Sequence, residues 1–340
     1  MQHFDARIPH SNESFGSLGG AGERRYGVNV PLDSPAREAP VEERNVEFPA
    51  HDGYGVAGTL YRRVEDYDPD DVLIFNAGGG LSVRRYRHFL RYLAGQGFPV
   101  LAYDYRGVGA SRPARLRGFV AGLEDWSEFD HAGAIDDIRT RYPRARLTTV
   151  AHSIGCLVAC SAPNAADQSR MVLIAPHTGY WRDYAPAWKL PMAVMWHGIM
   201  PLVARIVGYF PGSWVGLGDD FPLRFAKQWS GRTTPDFRVD PHDARAWTLL
   251  GNADALACPV MALSFSDDAF ASPPGVSRLL ATIPRASVET CELDARQLAR
   301  RIGHFGFFSR RNDALWELVP QFLDRTAALD TAHDARFRMG

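Results

Sequence analysis

The chain has 340 residues, of which 46% are hydrophobic, so it can bury a large core as one large α/β domain or two ordinary ones. Its 38 basic and 39 acidic residues leave a net charge of -1 without a block of like charges, which argues against a nucleic-acid-binding protein. The four cysteines show neither CxxC pairing nor metal-ligand spacing and are too sparse for a disulfide framework, so we expect a reduced, cytoplasmic setting.

The N-terminal residues 1–43 are rich in Gly, Ser, Pro and charged side chains and show no hydrophobic periodicity. They predict a flexible extension, and they lack the apolar segment and the small-residue cleavage site of a signal peptide. Two segments of alternating hydrophobicity then flank Asp52-Gly53, which predicts a β-hairpin at the start of the folded core.

Strand and helix patterns alternate through residues 44–176. The apolar runs DVLIFNA, FPVLAYDY, RLTTVAH and RMVLIAP predict buried strands, and the segments between them carry the period of helices. The alternation returns over residues 256–328 with CPVMALSFSDD, SVETCEL and a terminal helix. Near-continuous apolar strands separated by helices are typical of a parallel sheet covered on both faces. The two ranges therefore predict a single α/β core with a mostly parallel central sheet.

The alternation stops between residues 177 and 255, which hold six of the eight tryptophans, many prolines and short helical patterns. This segment predicts a helical cap inserted into the core. Its longest apolar run, LPMAVMWHGIMPLVARIVGYF, is interrupted by His197, Pro201 and Arg205 and falls short of a clean membrane-spanning helix. We expect most cap aromatics to fill the cap's own core, and the apolar run to form part of a substrate wall or to touch a membrane surface.

The stretch LTTVAHSIGCLVAC places Ser153 where a predicted strand runs directly into a predicted helix. Small residues at Ala151 and Gly155 let the helix pack close to the strand, and a serine in such a turn exposes its Oγ as a nucleophile. The start of the helix also leaves N–H groups free for a developing negative charge. A serine at this junction is equally typical of a helix N-cap, so the motif alone leaves both interpretations open.

Two further residue types complete the chain order Ser, Asp, His. His304 lies after the last predicted strand, where its imidazole can take the serine proton and return it. Asp267 and Asp268 both follow the strand CPVMALSF, and a carboxylate there can fix the tautomer of the histidine. We favour Asp268 for this role and keep Asp267 as the alternative.

The motifs AHSIG, YDYRGVGASRP, SFSDDAFASP and IGHFGFF resemble those of the α/β-hydrolase superfamily. More narrowly, the motifs GYWRDY, FGFF and YDYRGVGASRP resemble a family of bacterial predicted α/β hydrolases whose substrates are largely unassigned. The resemblance covers about residues 45 to 325. It implies that Ser153 is the nucleophile, His304 the base and Asp268 the acid. Ser272 stands where that family usually has proline, which leaves Asp267 open.

The resemblance also implies an oxyanion hole. Its two donors would be the backbone N–H groups of Ile154 and Gly78, with Ala77 as the close second to Gly78. The glycine-rich loop that supplies the second donor reads NAGGG here, where the superfamily commonly has a His-Gly pair, and Ala151 replaces the usual first glycine of the serine turn.

Together these features predict an α/β-hydrolase fold and a serine hydrolase. Its substrate would be an ester or thioester with a hydrophobic acyl or aryl group, cleaved through an acyl-enzyme and presented as a small molecule or on an acyl carrier. An acyltransferase with the same triad is the first alternative, and a non-catalytic ligand-binding protein on this fold is the second. No GxGxxG, HExxH, EF-hand or GxxxxGK[ST] motif occurs, so we expect no cofactor and no metal.

Overall fold

The computed structural model describes residues 24–25, 39–65, 67–232 and 252–337. Most of the predicted extension 1–43 therefore lies outside the described residues. The same is true of Phe237 and Trp247 in the predicted cap.

In the part of the chain that the structure describes, a nine-stranded sheet forms the centre of the fold, in the order β1-β11-β10-β7-β6-β4-β5-β3-β2. The strands of the structure are β1 (Arg24–Arg25), β2 (Val41–Pro49), β3 (Gly55–Arg63), β4 (Asp71–Asn76), β5 (Val100–Tyr103), β6 (Arg146–His152), β7 (Arg170–Ile174), β8 (Tyr209–Phe210), β9 (Phe221–Pro222), β10 (Pro259–Phe265) and β11 (Ser287–Leu293). Among the described residues, strands β8 and β9 pair only with each other.

Within the central sheet β3 pairs antiparallel with β2 and β5, and the other neighbouring strands are parallel. The hairpin at Asp52-Gly53 and the mostly parallel sheet are thus confirmed. Two pieces of the predicted extension belong to this sheet, because β1 pairs with β11 and β2 begins at Val41.

The buried strands divide their side chains between two apolar clusters. Val72 and Ile74 of β4 belong to one cluster, and Leu73 and Phe75 of the same strand belong to the other. Successive residues of a strand point to opposite faces, so the clusters lie on the two faces of the sheet. Each fully buried side chain of this kind contributes about 1.5–3 kcal/mol, which is why these strands read as continuous apolar runs.

Helices cover both faces. They are α1 (Arg87–Gly95), α2 (Leu123–Asp125), α3 (Ala132–Arg141), α4 (Ile154–Cys160), α5 (Pro186–Val194), α6 (Met200–Val207), α7 (Leu223–Gly231), α8 (Pro273–Leu280) and α9 (Leu318–Phe337). Helices α3 and α4 pack into the first cluster, and α1 and α9 pack into the second. Two π-helical segments, Trp126–His131 and Met195–Ile199, join α2 to α3 and α5 to α6.

By length and composition alone, the helical segment Pro186–Val207 is long and apolar enough to cross a membrane. The interruptions in its sequence had led us to expect that it falls short of a membrane-spanning helix. One side of it packs on the protein, since Trp196 and Met200 are buried in the first cluster. Leu202 and Ile206 on α6 are exposed. The segment therefore lies on the core as a helix with an uncovered apolar face.

Candidate active site

Ser153 occupies a strained turn between β6 and α4, with φ 58° and ψ −129°. A positive φ outside glycine costs about 1–3 kcal/mol and persists only where the surroundings impose it. The turn depends on Gly155, because a Cβ there would lie 2.3 Å from the carbonyl oxygen of Ala77. The side chain of Ser153 makes no capping hydrogen bond to α4, so the N-cap interpretation is wrong.

The Oγ of Ser153 lies 2.8 Å from Nε2 of His304, and Nδ1 of His304 lies 2.8 Å from Oδ2 of Asp268. All three residues are buried. They follow β6, β11 and β10, and the parallel pairing of these strands through β7 brings their carboxyl ends to one edge of the sheet. The structure thus joins the three residues in the hydrogen-bonded order serine, histidine, carboxylate.

The surroundings of Asp268 favour its ionised form. Its Oδ1 accepts hydrogen bonds from the N–H groups of Phe270 at 2.8 Å and Ala271 at 3.0 Å. Burial by itself would raise the pKa of Asp268, but the charge and hydrogen bond of His304 and these two N–H groups lower it below its usual value. An ionised Asp268 holds the hydrogen of His304 on Nδ1 and leaves Nε2 free to accept a proton.

Asp267, the alternative acid, is exposed and contacts a different group. Its two carboxylate oxygens accept hydrogen bonds from the N–H groups of Ile302 at 3.0 Å and Gly303 at 2.8 Å. These bonds tie the loop that carries His304 to the end of β10. The two neighbouring aspartates therefore have different partners. Asp268 contacts the imidazole of His304, and Asp267 contacts the backbone N–H groups beside it.

A second histidine contacts the same serine oxygen. Nε2 of His177 lies 2.9 Å from Oγ of Ser153, and its Nδ1 accepts a 2.8 Å hydrogen bond from the N–H of Gly179. Burial, followed by the positive charge of His304, lowers the pKa of His177 to about 3, so this ring is neutral at pH 7. No sequence motif predicted a role for His177. Its position three residues after the end of β7 is the signal that could have identified it.

A buried chain of hydrogen bonds lies behind the serine. The N–H of Gly78 donates to Oη of Tyr86 at 3.1 Å, and Oη lies 2.9 Å from Nδ1 of His152. Nε2 of His152 lies 2.9 Å from the carbonyl oxygen of His304, which can only accept, so Nε2 carries the hydrogen and Nδ1 accepts from Tyr86. This chain corrects the expectation for Gly78, because its N–H already has a buried partner.

An apolar cleft, which is open to solvent, lies at Ser153. Its described lining residues are Gly79, Ser153, Ile154, His177, Tyr184, Trp196, Met200, Leu217, Phe221, Phe225, Trp229, Phe270, His304 and Phe305. They come from both the core and the helical segment after β7. None of these residues is Asp, Glu, Lys or Arg.

Gly79 and Ile154 border the cleft beside the serine. Their N–H groups have no hydrogen-bond partner among the described residues. A Cβ on Gly79 would lie 2.8 Å from Cγ2 of Ile154, so glycine is the residue that fits there without a shift. Ala77, the second predicted donor, is fully buried and is not part of the described lining. Across the described residues, no group of three or more His, Cys, Asp or Glu side chains could hold a metal ion.

Comparisons with known proteins agree with this architecture. The sequence pattern of a family described as "Serine aminopeptidase, S33" matches residues 67–215. A comparison with curated protein sequences gave no significant match.

Several solved structures are similar to the chain. An esterase from Pyrococcus furiosus is 18% identical with a TM-score of 0.52, over 84% of this chain and 92% of that chain. A soluble variant of monoglyceride lipase from Saccharomyces cerevisiae, in complex with a substrate analog, is 16% identical with a TM-score of 0.60, over 87% and 98%. An acylaminoacyl peptidase from Pyrococcus horikoshii is 15% identical with a TM-score of 0.54, over 84% and 42%.

These likenesses show the α/β-hydrolase fold and confirm the predicted fold class. The family match over residues 67–215 agrees with the resemblance to the α/β-hydrolase superfamily. Taken with this match, the structural likenesses make the chain an α/β-fold serine hydrolase.

Proposed function

We propose that this α/β-fold serine hydrolase cleaves a carboxylic ester or thioester with a hydrophobic acyl or aryl group, through an acyl-enzyme on Ser153. The observation that carries the proposal is the hydrogen-bonded row Ser153, His304, Asp268 at the floor of an apolar cleft. A serine nucleophile, an imidazole base and a carboxylate are the groups that acyl transfer requires.

In the first half-reaction His304 takes the proton of Ser153 while Oγ attacks the carbonyl carbon of the substrate. The carbonyl oxygen becomes an oxyanion, and the free N–H groups of Gly79 and Ile154 donate to it. The protonated His304 then passes its proton to the leaving alcohol or thiol as the bond to that group breaks. Asp268 stabilises the imidazolium that exists between the two transfers.

In the second half-reaction water attacks the acyl-enzyme with His304 as the base. The second tetrahedral intermediate again places its oxyanion at Gly79 and Ile154. Collapse breaks the bond between the acyl carbon and Oγ, His304 returns the proton to Ser153, and the free acid leaves. An alcohol, amine or thiol in place of water would make the enzyme an acyltransferase, which product analysis in the presence of such acceptors distinguishes.

The lining of the cleft favours esters over peptides. An aminopeptidase has to hold the charged amino group of its substrate, which calls for a carboxylate in the site. Among the described residues, the cleft is lined by aromatic and aliphatic side chains and by no Asp or Glu. A hydrophobic acyl or aryl group gains about 0.8 kcal/mol for each CH₂ that it buries there.

We also propose a cytoplasmic setting and a small-molecule or acyl-carrier-bound substrate. All four cysteines are free thiols, and Cys156, Cys160 and Cys291 are buried. Disulfides form in oxidising compartments, so four unpaired cysteines fit a reducing one.

Labelling with a fluorophosphonate probe, read by mass spectrometry, tests the nucleophile. We expect an adduct on Ser153 in the wild type and none in Ser153→Ala, with loss of hydrolysis of p-nitrophenyl esters. Ser277→Ala, which changes an exposed serine on α8, is the matched control and should keep both activities. A folded wild type that carries no adduct on Ser153 would overturn the proposal.

A further inference from the structure

Two imidazoles share the Oγ of Ser153, with Nε2 of His304 at 2.8 Å and Nε2 of His177 at 2.9 Å. A hydroxyl has one hydrogen to donate and lone pairs that accept. It can therefore donate to one of these rings and accept from the other. Only the ring that receives the serine hydrogen can act as the base.

The group on Nδ1 of each ring assigns the two roles. A backbone N–H always donates, so the N–H of Gly179, 2.8 Å away, makes Nδ1 of His177 an acceptor. A neutral His177 then carries its hydrogen on Nε2, where it faces Oγ of Ser153. On His304 the acceptor is Asp268, at 2.8 Å, so the hydrogen is on Nδ1 and Nε2 accepts.

The geometry around His177 maintains this tautomer. Gly179 has a positive φ of 74°, and a Cβ there would lie 2.4 Å from the ring of Trp229, so the loop that aims its N–H at Nδ1 has little freedom. The ring of Tyr184 packs edge-on against His177 with centroids 6.2 Å apart. The side chain of His177 is also buried.

Electrostatics oppose a second proton. Burial is the largest factor that lowers the pKa of His177. A proton on His304 and the positive charge of Arg232 lower it further, and Asp268 acts in the opposite sense. The outcome is a neutral ring that donates from Nε2 and cannot compete with His304 for the serine proton.

We propose that His177 is a second catalytic histidine, which donates a hydrogen bond from Nε2 to Oγ of Ser153 in both half-reactions. This role rests on the proposed acyl-enzyme mechanism. Before attack, the donated bond turns the hydroxyl hydrogen of Ser153 toward His304 and holds the nucleophilic oxygen in place. During deacylation the bond between the acyl carbon and Oγ breaks with its electron pair on Oγ, which then takes a proton from His304. The hydrogen of His177 stabilises the charge that grows on Oγ, and it stays on His177 throughout.

Two substitutions with side chains of similar length separate the effect of the Nε2–H donor of His177 from the effect of side-chain size. His177→Gln keeps an N–H donor near the position of Nε2, and His177→Met fills the same space without one. Loss of one preorganised donor to a developing oxyanion costs about 10²–10³ in kcat. We expect His177→Met to lose about 10² in kcat on p-nitrophenyl hexanoate, with a stoichiometric burst of nitrophenolate as deacylation slows. We expect His177→Gln to stay within about fivefold of the wild type, because the donor survives.

A measurement on the wild-type enzyme keeps the proposal falsifiable if His177→Met fails to fold. Long-range ¹H–¹⁵N correlation spectra identify which imidazole nitrogen carries the hydrogen. At pH 7 we expect His177 to be neutral with its hydrogen on Nε2. A hydrogen on Nδ1, or on both nitrogens, would overturn the proposal.

The kinetic outcomes separate this role from the proposed function. If Ser153→Ala keeps full hydrolysis, the acyl-enzyme proposal fails and His177 loses its role with it. If Ser153→Ala is inactive but folded His177→Met matches the wild type, only the role of His177 fails. A His177→Gln enzyme as slow as His177→Met would also reject the donor, because the two side chains differ in that group.

Discussion

His152 holds the backbone of His304 in place, since its Nε2–H donates to the carbonyl oxygen of His304 at 2.9 Å. The residue directly before Ser153 thus positions the loop that carries His304. Its other ring nitrogen depends on Tyr86, whose hydroxyl also receives the N–H of Gly78. The glycine-rich loop and the His304 loop are therefore coupled through two buried side chains.

Tyr86→Phe tests this coupling. The change removes the hydroxyl and leaves the N–H of Gly78 and Nδ1 of His152 buried without a partner, at a cost of about 1–3 kcal/mol for each group. We expect the free energy of unfolding in urea to fall by about 2 kcal/mol and kcat to fall about tenfold as His304 shifts. Tyr67→Phe is the control, because its hydroxyl donates to the carbonyl of Gly97 away from the site. Equal stability of the two variants would contradict the role of Tyr86.

Substitution of the two aspartates after β10 should lower kcat to very different extents. Asp268→Asn keeps the shape of the side chain but no longer enforces the Nδ1–H tautomer of His304, and in a protease triad the same change costs about 10⁴ in kcat. We expect a loss of that order. Asp267→Asn keeps one of its two backbone hydrogen bonds, through its amide oxygen, and Asp267 does not contact the imidazole of His304, so we expect kcat within about tenfold of the wild type. The comparison is made on one p-nitrophenyl ester, and the reverse ranking would move the acid role to Asp267.

Most of the fold, and the three predicted site residues that the structure brings into contact, could be predicted from the sequence for a local reason. Ser153, Asp268 and His304 each follow an apolar run, and parallel strands bring such positions to one edge. The serine turn also leaves a local mark, because Gly155 must be small to clear the carbonyl of Ala77.

The rest of the site depends on tertiary contacts that no local pattern records. Gly78 and Gly79 are equivalent in sequence, and the hydroxyl of Tyr86 decides which N–H stays free. His177 follows β7 as the other site residues follow their strands, but its role depends on the N–H of Gly179 and on the pairing of β7 with β6. The sequence contains all of these residues without showing their contacts.

The buried neutral His177 should make the protein sensitive to acid. Its pKa is lowered to about 3 in the folded state, chiefly by burial, with His304 and Arg232 acting in the same direction and Asp268 against it. In the unfolded chain the pKa of this histidine is about 6.5. As pH falls below that value, the unfolded chain binds a proton at this site that the folded protein does not bind, so the free energy of unfolding falls. The free energy of unfolding continues to fall until pH approaches the pKa of His177 in the folded protein.

The stability difference between wild type and His177→Gln measures this effect, since glutamine does not titrate. Between pH 7 and pH 4 we expect the wild type to lose about 3 kcal/mol more than the variant. Urea unfolding at a series of pH values gives both curves, and their comparison cancels the titration of all other groups. Parallel curves would show that His177 is protonated in the folded protein, contrary to its buried and neutral assignment.

The substitution Gly155→Ala tests the turn at Ser153, and Gly198→Ala is its control. A Cβ on Gly155 would lie 2.3 Å from the carbonyl oxygen of Ala77, whereas a Cβ on Gly198 meets nothing within 4 Å. We expect Gly155→Ala to lower the free energy of unfolding by about 3 kcal/mol or more and to abolish fluorophosphonate labelling. Gly198→Ala should keep labelling and gain up to about 1 kcal/mol, because alanine is the better helix former. Thermal unfolding of both variants checks the pair.

The apolar lining of the cleft sets the preferred length of the acyl chain. Each buried CH₂ is worth about 0.8 kcal/mol, which corresponds to about a fourfold rise in kcat/KM if the group is buried in the transition state. Across p-nitrophenyl esters we expect kcat/KM to rise from acetate to a medium chain and then to level off once the acyl chain covers the apolar lining of the cleft.

Met200→Trp tests whether the cleft determines how kcat/KM depends on the length of the acyl chain. Met200 is buried and lines the cleft, so a larger ring at this position occupies volume that the acyl chain would use. We expect the optimum to move to a shorter chain while kcat/KM for acetate stays within about threefold, because the ester of acetate needs little of that volume. Ile206→Trp, an exposed change on the same helix α6, should leave the wild-type profile unchanged. A steady fall in kcat/KM from acetate upward in the wild type would show that the cap closes the pocket, and the hydrophobic acyl group would have to be withdrawn from the proposed substrate.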